Sequence, residues 1–150
     1  MMHAVDPTSD IVGEVVSGCL MTRARRISRV LTNIYDQELR GYGLNASQFS
    51  MLILIAKLGG ASRAEIGRAN FQDRTTLTRN LVPLLKEGWI EELPTEGGRS
   101  RPVIISDTGK KLLDSAGPAW RQAQRKATRL VGKNGAKAII DIAQSLPRER

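Results

Sequence analysis

Cysteine and histidine are almost absent from the 150-residue sequence, which contains one of each, Cys19 and His3. A single cysteine excludes a disulfide within the chain, as is usual for proteins of the reducing cytoplasm. One cysteine and one histidine far apart in the sequence can supply neither a zinc site nor a nucleophilic triad. We therefore predict that the protein is not an enzyme and uses no metal or other cofactor.

Long apolar runs are also absent. The longest, "MLILIA" at residues 51–56, is far shorter than the roughly 20 residues that a membrane-spanning helix needs. The start, "MMHAVDPTSD", has no basic cluster followed by an apolar run, so it does not resemble a signal peptide. We expect a cytoplasmic protein without a membrane partner, in which residues 1–9 are a disordered start.

Acidic residues are too few to balance the basic ones. The formal net charge is +8 and the pI is about 10.3, which favours a polyanionic partner. Residues 102–150 hold ten basic and four acidic side chains, so most of the excess lies in the C-terminal third. Total charge therefore suggests a class of partner without locating the binding surface.

The first half of the sequence has the apolar spacing of helices. Steps of three and four between apolar residues predict one long amphipathic helix from Asp10 to Leu39. Asn45 with Gln48, and Ser62 with Glu65, form capping-box pairs that begin a second and a short third helix. Asp73 is a suitable N-cap for a fourth helix that runs to Gly88.

The second half changes period and then returns to helices. "WIEELP" and "RPVIIS" alternate like short strands, and Gly97-Gly98 supplies the turn of a hairpin between them. Ser106 can cap a long helix through about Leu130, and the segment from Gly132 to Gly135 should separate it from a last helix, "AKAIIDIAQSL". The predicted fold class is mainly α with a small β-hairpin.

The fourth helix opens with the unusual stretch "DRTTLTRN", residues 73–80. At 100° per residue Leu77, Leu81, Leu84 and Leu85 form one apolar stripe. Thr75, Thr76 and Arg79 then point away from the stripe, Thr78 flanks it, and Arg74 lies in the first turn, where a long side chain reaches solvent. Threonine and arginine are side chains that read base edges in a major groove.

This face has a simpler interpretation, because threonines and an arginine can also form an ordinary solvated helix surface. Two neighbouring features favour DNA. A short helix and a tight turn precede the stretch, as in a helix-turn-helix, and a hairpin bearing Arg99 and Arg101 follows it. Together they predict a winged helix-turn-helix, in which the hairpin is the wing.

The sequence from "QFSMLILI" through "SDTGKKLL" resembles the MarR (multiple antibiotic resistance regulator) family, and the resemblance extends over nearly the whole chain. The wing carries the most specific part of the family pattern, with these residues in register: Arg99, Val103, Ile105, Ser106 and Gly109. The wing aspartate of the family falls on Gly97 here. The resemblance implies a looser wing, or a wing arginine in another orientation.

The resemblance further implies a homodimer that binds double-stranded DNA at a pseudo-palindromic operator. The winged helix would span residues 45–106, and helices at 10–40 and 107–147 would form the dimer. DNA contacts are expected from Arg74, Thr75, Thr76, Thr78, Arg79, Arg99 and Arg101. Family members are mostly repressors that respond to small, often aromatic or anionic, effectors. The predicted function is therefore a ligand-responsive, sequence-specific transcriptional repressor.

Several alternatives stay open. The winged helix could be a protein-interaction module, or Cys19 could sense oxidants with help from Tyr35, although Cys19 also fits the apolar stripe of its helix as a small core residue. The basic run "RQAQRKATR", residues 121–129, is interpreted as a solvated face, with a contribution to DNA steering or to an acidic ligand's pocket as the alternative. Trp89 and Trp120 are interpreted as packing residues that could instead line a pocket.

Overall fold

The computed structural model of the protein describes residues 10–97 and 100–147 as a mainly helical fold with a small antiparallel sheet. The predicted fold class is confirmed. The proposed disordered start, residues 1–9, and the wing residue Arg99 lie outside the described residues. In chain order the elements are α1 (Asp10–Gly18), α2 (Leu20–Leu39), a 3₁₀ turn (Arg40–Tyr42), α3 (Ala46–Leu58), α4 (Arg63–Ala69), α5 (Arg74–Lys86), β1 (Ile90–Glu92), β2 (Val103–Ile105) and α6 (Asp107–Ser145).

The predicted N-caps begin four of the helices. Asn45 and Gln48 form a complete capping box at α3, with the Gln48 amide donating to the Asn45 side chain over 2.8 Å. The side chains of Ser62, Asp73 and Ser106 each accept a hydrogen bond from the backbone amide three residues later. Because a cap satisfies an amide that has no partner inside the helix, these local sequence signals position the helix starts.

The single long helix predicted for Asp10 to Leu39 is wrong, because the chain breaks at Cys19. This residue has φ −70° and ψ 114°, which is extended backbone between α1 and α2. The Arg23 guanidinium bridges the break, donating to the carbonyl oxygens of Val16 (2.7 Å) and Cys19 (3.1 Å). Side-chain donors therefore replace part of the helical hydrogen bonding, which apolar spacing alone does not reveal.

The core lies where α3, α4, α5 and the sheet meet the start of α6. β1 and β2 pair antiparallel with Ile90 opposite Ile105, and a bridge joins Ala61 to Val103. Nine large side chains of the described residues are almost fully buried. One is the last residue of α2, and the others come from α3, α4, α5 and the sheet: Leu39, Leu52, Ile55, Ile66, Leu77, Leu81, Leu84, Ile90 and Val103. From α6, Ala116 joins this cluster. The sheet thus holds α5 against the body of the protein.

The last element, α6, is interrupted as the sequence predicts. Gly132 has φ +78° and ψ 163°, a non-helical conformation that glycine adopts without steric cost, and the helical segments on either side meet there. Among the described residues, no helix is both long and apolar enough to cross a membrane.

Candidate nucleic-acid interface

Asp73 caps the start of helix α5 by accepting a hydrogen bond from the backbone of Thr76. The backbone amide of Thr76 donates to Asp73 Oδ1 over 2.7 Å. The hydrogen bonds from Thr76, the backbone amide first, lower the pKa of the exposed Asp73 carboxyl. The carboxylate therefore stays ionised at neutral pH, and the first turn of α5 begins at the protein surface.

The leucine stripe predicted for α5 is buried as expected. Leu77, Leu81 and Leu84 are fully buried, and Leu85 is half-buried against the same core. The helix continues through Pro83, whose missing amide leaves the Arg79 carbonyl without its usual partner. The apolar side of α5 is thus sequestered, which leaves the opposite side free for a partner.

That opposite side carries most of the predicted contact residues. Arg74, Thr75 and Arg79 are exposed, while Thr76 is half-buried. Because threonine side chains are short, the backbone of α5 can approach the floor of a major groove closely, while the longer Arg79 guanidinium can reach a base edge. Thr75, Thr76 and Arg79 share this face of the first two turns, whereas Arg74, exposed at the start of the helix, lies at nearly the same helical angle as the leucine stripe.

The fifth residue of this set, Thr78, is held by a neighbour that the sequence analysis missed. Thr78 is half-buried, and its hydroxyl oxygen accepts a hydrogen bond from Arg63 Nη1 at 3.3 Å. Arg63, the first residue of α4, also forms an ion pair with Glu92 at the end of β1. No spacing rule links residues 63, 78 and 92, so the pairing required the tertiary structure.

The wing can be described in part. Arg101 is exposed just before β2, where a strand leads away from the hairpin tip. Gly97, at the position of the family's wing aspartate, has φ +71°, a left-handed conformation that favours glycine. Arg99 lies outside the described residues. The contribution of the wing to binding stays a prediction.

A wide crevice of about 1260 Å³ separates α5 from the long helices. Its lining includes three aromatic side chains, Tyr35, Phe49 and Trp120, and two guanidinium groups, Arg79 and Arg121. Trp89, in contrast, packs against the core. Arg121 belongs to the basic run at residues 121–129, so one member of that run lines a pocket instead of facing solvent alone. Arg79 belongs to both the crevice and the outward face of α5.

Tyr35 is fixed within this crevice. Its hydroxyl donates to the Gln124 side-chain oxygen, and partial burial raises the pKa of its phenol. The hydroxyl is therefore protonated at neutral pH and acts as a donor that ties α2 to α6. This bond places Tyr35 in a structural role.

Cys19 lies at the helix break and is half-buried, outside the core cluster of the described residues. Its assignment as a small core residue is therefore wrong for the single chain. Hydrogen bonding from Thr22, chiefly from the backbone amide, lowers the pKa of the thiol. A role in sensing oxidants stays a hypothesis. Within the described ranges no cluster of three or more potential metal ligands occurs.

The fold is a winged helix-turn-helix, made of the short helix α4, a tight turn, the helix α5 with its apolar side buried, and the following hairpin. In this class of protein the second helix inserts into a DNA groove. Residues 42–100 match the model of the MarR family. The chain belongs to the MarR family of DNA-binding transcriptional regulators, as the resemblance implied.

Three relatives illustrate the similarity. The transcriptional regulator MosR of M. tuberculosis, solved in complex with DNA, is 31% identical, with 85% of this chain and 95% of that one covered and a TM-score of 0.71. A cysteine-to-serine mutant of E. coli MarR with operator DNA matches at TM-score 0.79 and 18% identity over 89% and 98% of the two chains, and shows the shared fold alone. The HTH-type regulator YwoH of Bacillus subtilis is 24% identical over 95 residues, 63% of this chain and 69% of its own.

Proposed function

We propose that the protein is a sequence-specific transcriptional repressor that binds its operator through α5 and the wing. One observation carries the proposal: Thr75 and Arg79 project to the outside while Leu77, Leu81 and Leu84 hold the helix from behind. Related structures support it, since MosR and MarR were solved with DNA and CouR is a transcriptional repressor bound to a DNA duplex.

In this proposal the threonines allow close approach and Arg79 supplies base readout. A guanidinium can pair bidentately with guanine, and a threonine can pack on a thymine methyl. Arg74 and Arg101, both exposed, would neutralise phosphates beside the groove, as would Arg99. Thr76, half-buried at the edge of the face, would contact the same base pairs as Thr75. The family and the fold are those of transcriptional regulators and not of enzymes.

Arg79→Ala should weaken operator binding by about 1–3 kcal/mol and relax specificity, because it removes one bidentate base contact. Affinity should be measured by gel shift on DNA from just upstream of the protein's own gene and on a scrambled duplex. Lys86→Ala is the matched control, since it removes one positive charge from the last turn of the same helix. An equal loss on both duplexes would show that Arg79 contacts only phosphate.

We propose a homodimer because the ends of the chain expose an unusual amount of apolar surface. Six large side chains of α1, the start of α2 and the C-terminal end of α6 with its cap residue are more than half exposed: Ile11, Val16, Leu20, Met21, Ile142 and Leu146. A soluble monomer rarely leaves so many large apolar side chains exposed, and a second copy is the simplest cover. The two α5 helices would then reach half-sites roughly 34–36 Å apart.

Sedimentation equilibrium should therefore give about twice the chain mass of 16.5 kDa. Ile142→Asp should shift the protein toward monomer, because it places a carboxylate in an apolar interface. Gln144→Asp, two residues away on the same helix, should leave the mass doubled. Monomeric unaltered protein at micromolar concentration, or a dimer that tolerates Ile142→Asp, would contradict this interface.

We also propose that the crevice binds a small aromatic anion that weakens DNA binding. Phe49 and Trp120 offer aromatic faces, and Arg79 and Arg121 offer positive charge for a carboxylate. A carboxylate that engages Arg79 would compete with the base that Arg79 reads. The effector then has different affinities for the free and DNA-bound proteins, which is the thermodynamic condition for regulation.

Benzoate is a suitable first probe, because Trp120 is 37% exposed in the crevice and reports on ligands by fluorescence. Benzoate should quench this emission and weaken operator binding, whereas neutral benzamide should do neither. Linkage requires that operator DNA weaken benzoate binding by the same factor. Trp120→Phe leaves only the Trp89 signal and serves as the optical control. Quenching that persists in Arg121→Gln would argue against charge recognition.

A further inference from the structure

We propose that Arg63 is a positioning residue that turns the Thr78 hydroxyl into a hydrogen-bond donor aimed at DNA. The inference rests on the proposed function, since it assigns the polarity of one contact within the α5 interface. It concerns a cluster of three residues, Arg63, Thr78 and Glu92, which we call the Arg63 clamp. The clamp joins the first helix of the helix-turn-helix, the recognition helix and the wing strand.

Three hydrogen bonds, two to Glu92 and one to Thr78, hold the Arg63 guanidinium in the clamp. Nε donates to Glu92 Oε1 over 2.9 Å, Nη2 pairs with the same oxygen, and Nη1 donates to Thr78 Oγ1 over 3.3 Å. The side chains of Arg63 and Glu92 are 28% and 24% exposed, so water screens the pair only in part. The Glu92 carboxylate therefore orients the guanidinium, and the guanidinium in turn orients the threonine.

Hydrogen-bond chemistry then determines what Thr78 can offer a partner. Guanidinium has donors and no acceptor, so the Thr78 oxygen must accept and its own proton must point elsewhere. Within the part of the chain that the structure describes, no carbonyl oxygen takes that proton. Thr78 is thus preset as a donor, and its DNA partner must be an acceptor: a phosphate oxygen, or an acceptor of a base such as guanine N7 or O6 or thymine O4.

The charge balance of the clamp separates this role from a phosphate contact by Arg63 itself. Glu92 already neutralises the guanidinium, so Arg63 should not neutralise a DNA phosphate or displace a counterion from the DNA. Removing an acid near DNA ordinarily strengthens binding, because the acid repels phosphates. Loss of Glu92 should do the opposite here, since it frees Arg63 from the geometry that orients Thr78.

The test is a set of binding curves, by fluorescence anisotropy on a labelled operator, across a range of salt concentrations. Thr78→Val, which keeps the shape and removes the hydroxyl, should weaken binding about tenfold, and Thr78→Ser should restore most of it. Arg63→Met should weaken binding about fivefold with an unchanged salt slope. The double variant should bind like Thr78→Val alone, because both changes remove one contact.

Glu92→Gln is the discriminating variant, with Glu91→Gln as its matched control. Glu91 is the exposed preceding residue of the same strand, so both variants remove the same charge near the wing. Glu92→Gln should weaken binding, and Glu91→Gln should leave it unchanged or strengthen it. Thermal unfolding of each variant identifies any that is misfolded. If Arg63→Met is misfolded, Arg63→Lys replaces it, because lysine keeps the charge with fewer donors. Arg63→Lys should show the same non-additivity with Thr78→Val.

Three results would overturn the inference: additive losses in the double variant, a salt slope reduced by about one in Arg63→Met, or tighter binding by Glu92→Gln. If the protein binds no operator at all, the proposed function fails together with this inference. If it binds and the losses are additive, only the role of Arg63 fails.

Discussion

Gly109→Ala is expected to lose about 3 kcal/mol or more of its free energy of unfolding, the upper end of what overpacking costs. A methyl group at this position would lie 2.2 Å from the Trp89 carbonyl oxygen and 2.8 Å from Ile105 Cγ1. The first of these is a backbone atom, which cannot move without disturbing β1. The same carbonyl accepts the Ser106 amide at 3.0 Å, so the start of α6 and the base of the wing are joined there.

Urea unfolding followed by circular dichroism, at one fixed protein concentration, would measure the loss. Gly117→Ala is the matched control within α6, because its methyl would meet only the flexible Arg121 side chain at 3.6 Å or more. That variant should change stability by less than about 1 kcal/mol, the scale of the Gly-to-Ala difference in helices. Similar midpoints for Gly109→Ala and the unaltered protein would show that α6 approaches β1 less closely than described.

Leu81→Ala is the second change with a large expected effect, about 2–5 kcal/mol of stability, because it removes a fully buried side chain and leaves a cavity. Leu81 lies at the centre of the stripe that holds α5 against the core. Operator affinity should fall together with stability. A recognition helix that is packed loosely against the core cannot hold Thr75 and Arg79 in fixed positions.

Val82→Ala is the control for Leu81→Ala, since the neighbouring valine is 54% exposed. Its truncation removes little buried surface and should cost less than about 0.5–1 kcal/mol. The comparison separates burial from any change in helix propensity, because both substitutions introduce alanine at adjacent positions of one helix. A small loss of stability in Leu81→Ala would mean that the leucine stripe does not fix the orientation of α5. The proposed DNA-binding surface, which depends on that orientation, would then be unsupported.

Local features of the fold could be predicted from the sequence because their causes lie within a few residues. Asn45 with Gln48, Asp73 with Thr76 and Ser106 with Gly109 each meet three residues apart, so the caps and helix starts followed from spacing. The leucines of α5 repeat with the helical period, and their burial followed from that period. Gly132 broke α6 for the same local reason.

The failures have a common cause in contacts that local spacing cannot show. At the break at Cys19 the Arg23 guanidinium donates to the Val16 and Cys19 carbonyls, and an apolar pattern does not record side-chain donors. Cys19 lies outside the predicted core together with its stripe neighbours Val16 and Leu20, because the described part of the single chain places no element over that stripe. The crevice that contains Arg79 and Arg121 also has walls from four helices that are distant in sequence.

The sequence by itself determined which side of α5 is apolar, where most helices begin and that two short strands follow α5, because these follow from periodicity and from bonds between near neighbours. Only the tertiary structure decided that Arg63 meets Thr78 and Glu92, and that Gly109 lies against Trp89. Arg63 lies 15 positions from Thr78 and 29 positions from Glu92, and Gly109 lies 20 positions from Trp89. Packing brings them together, and packing is a property of the whole chain.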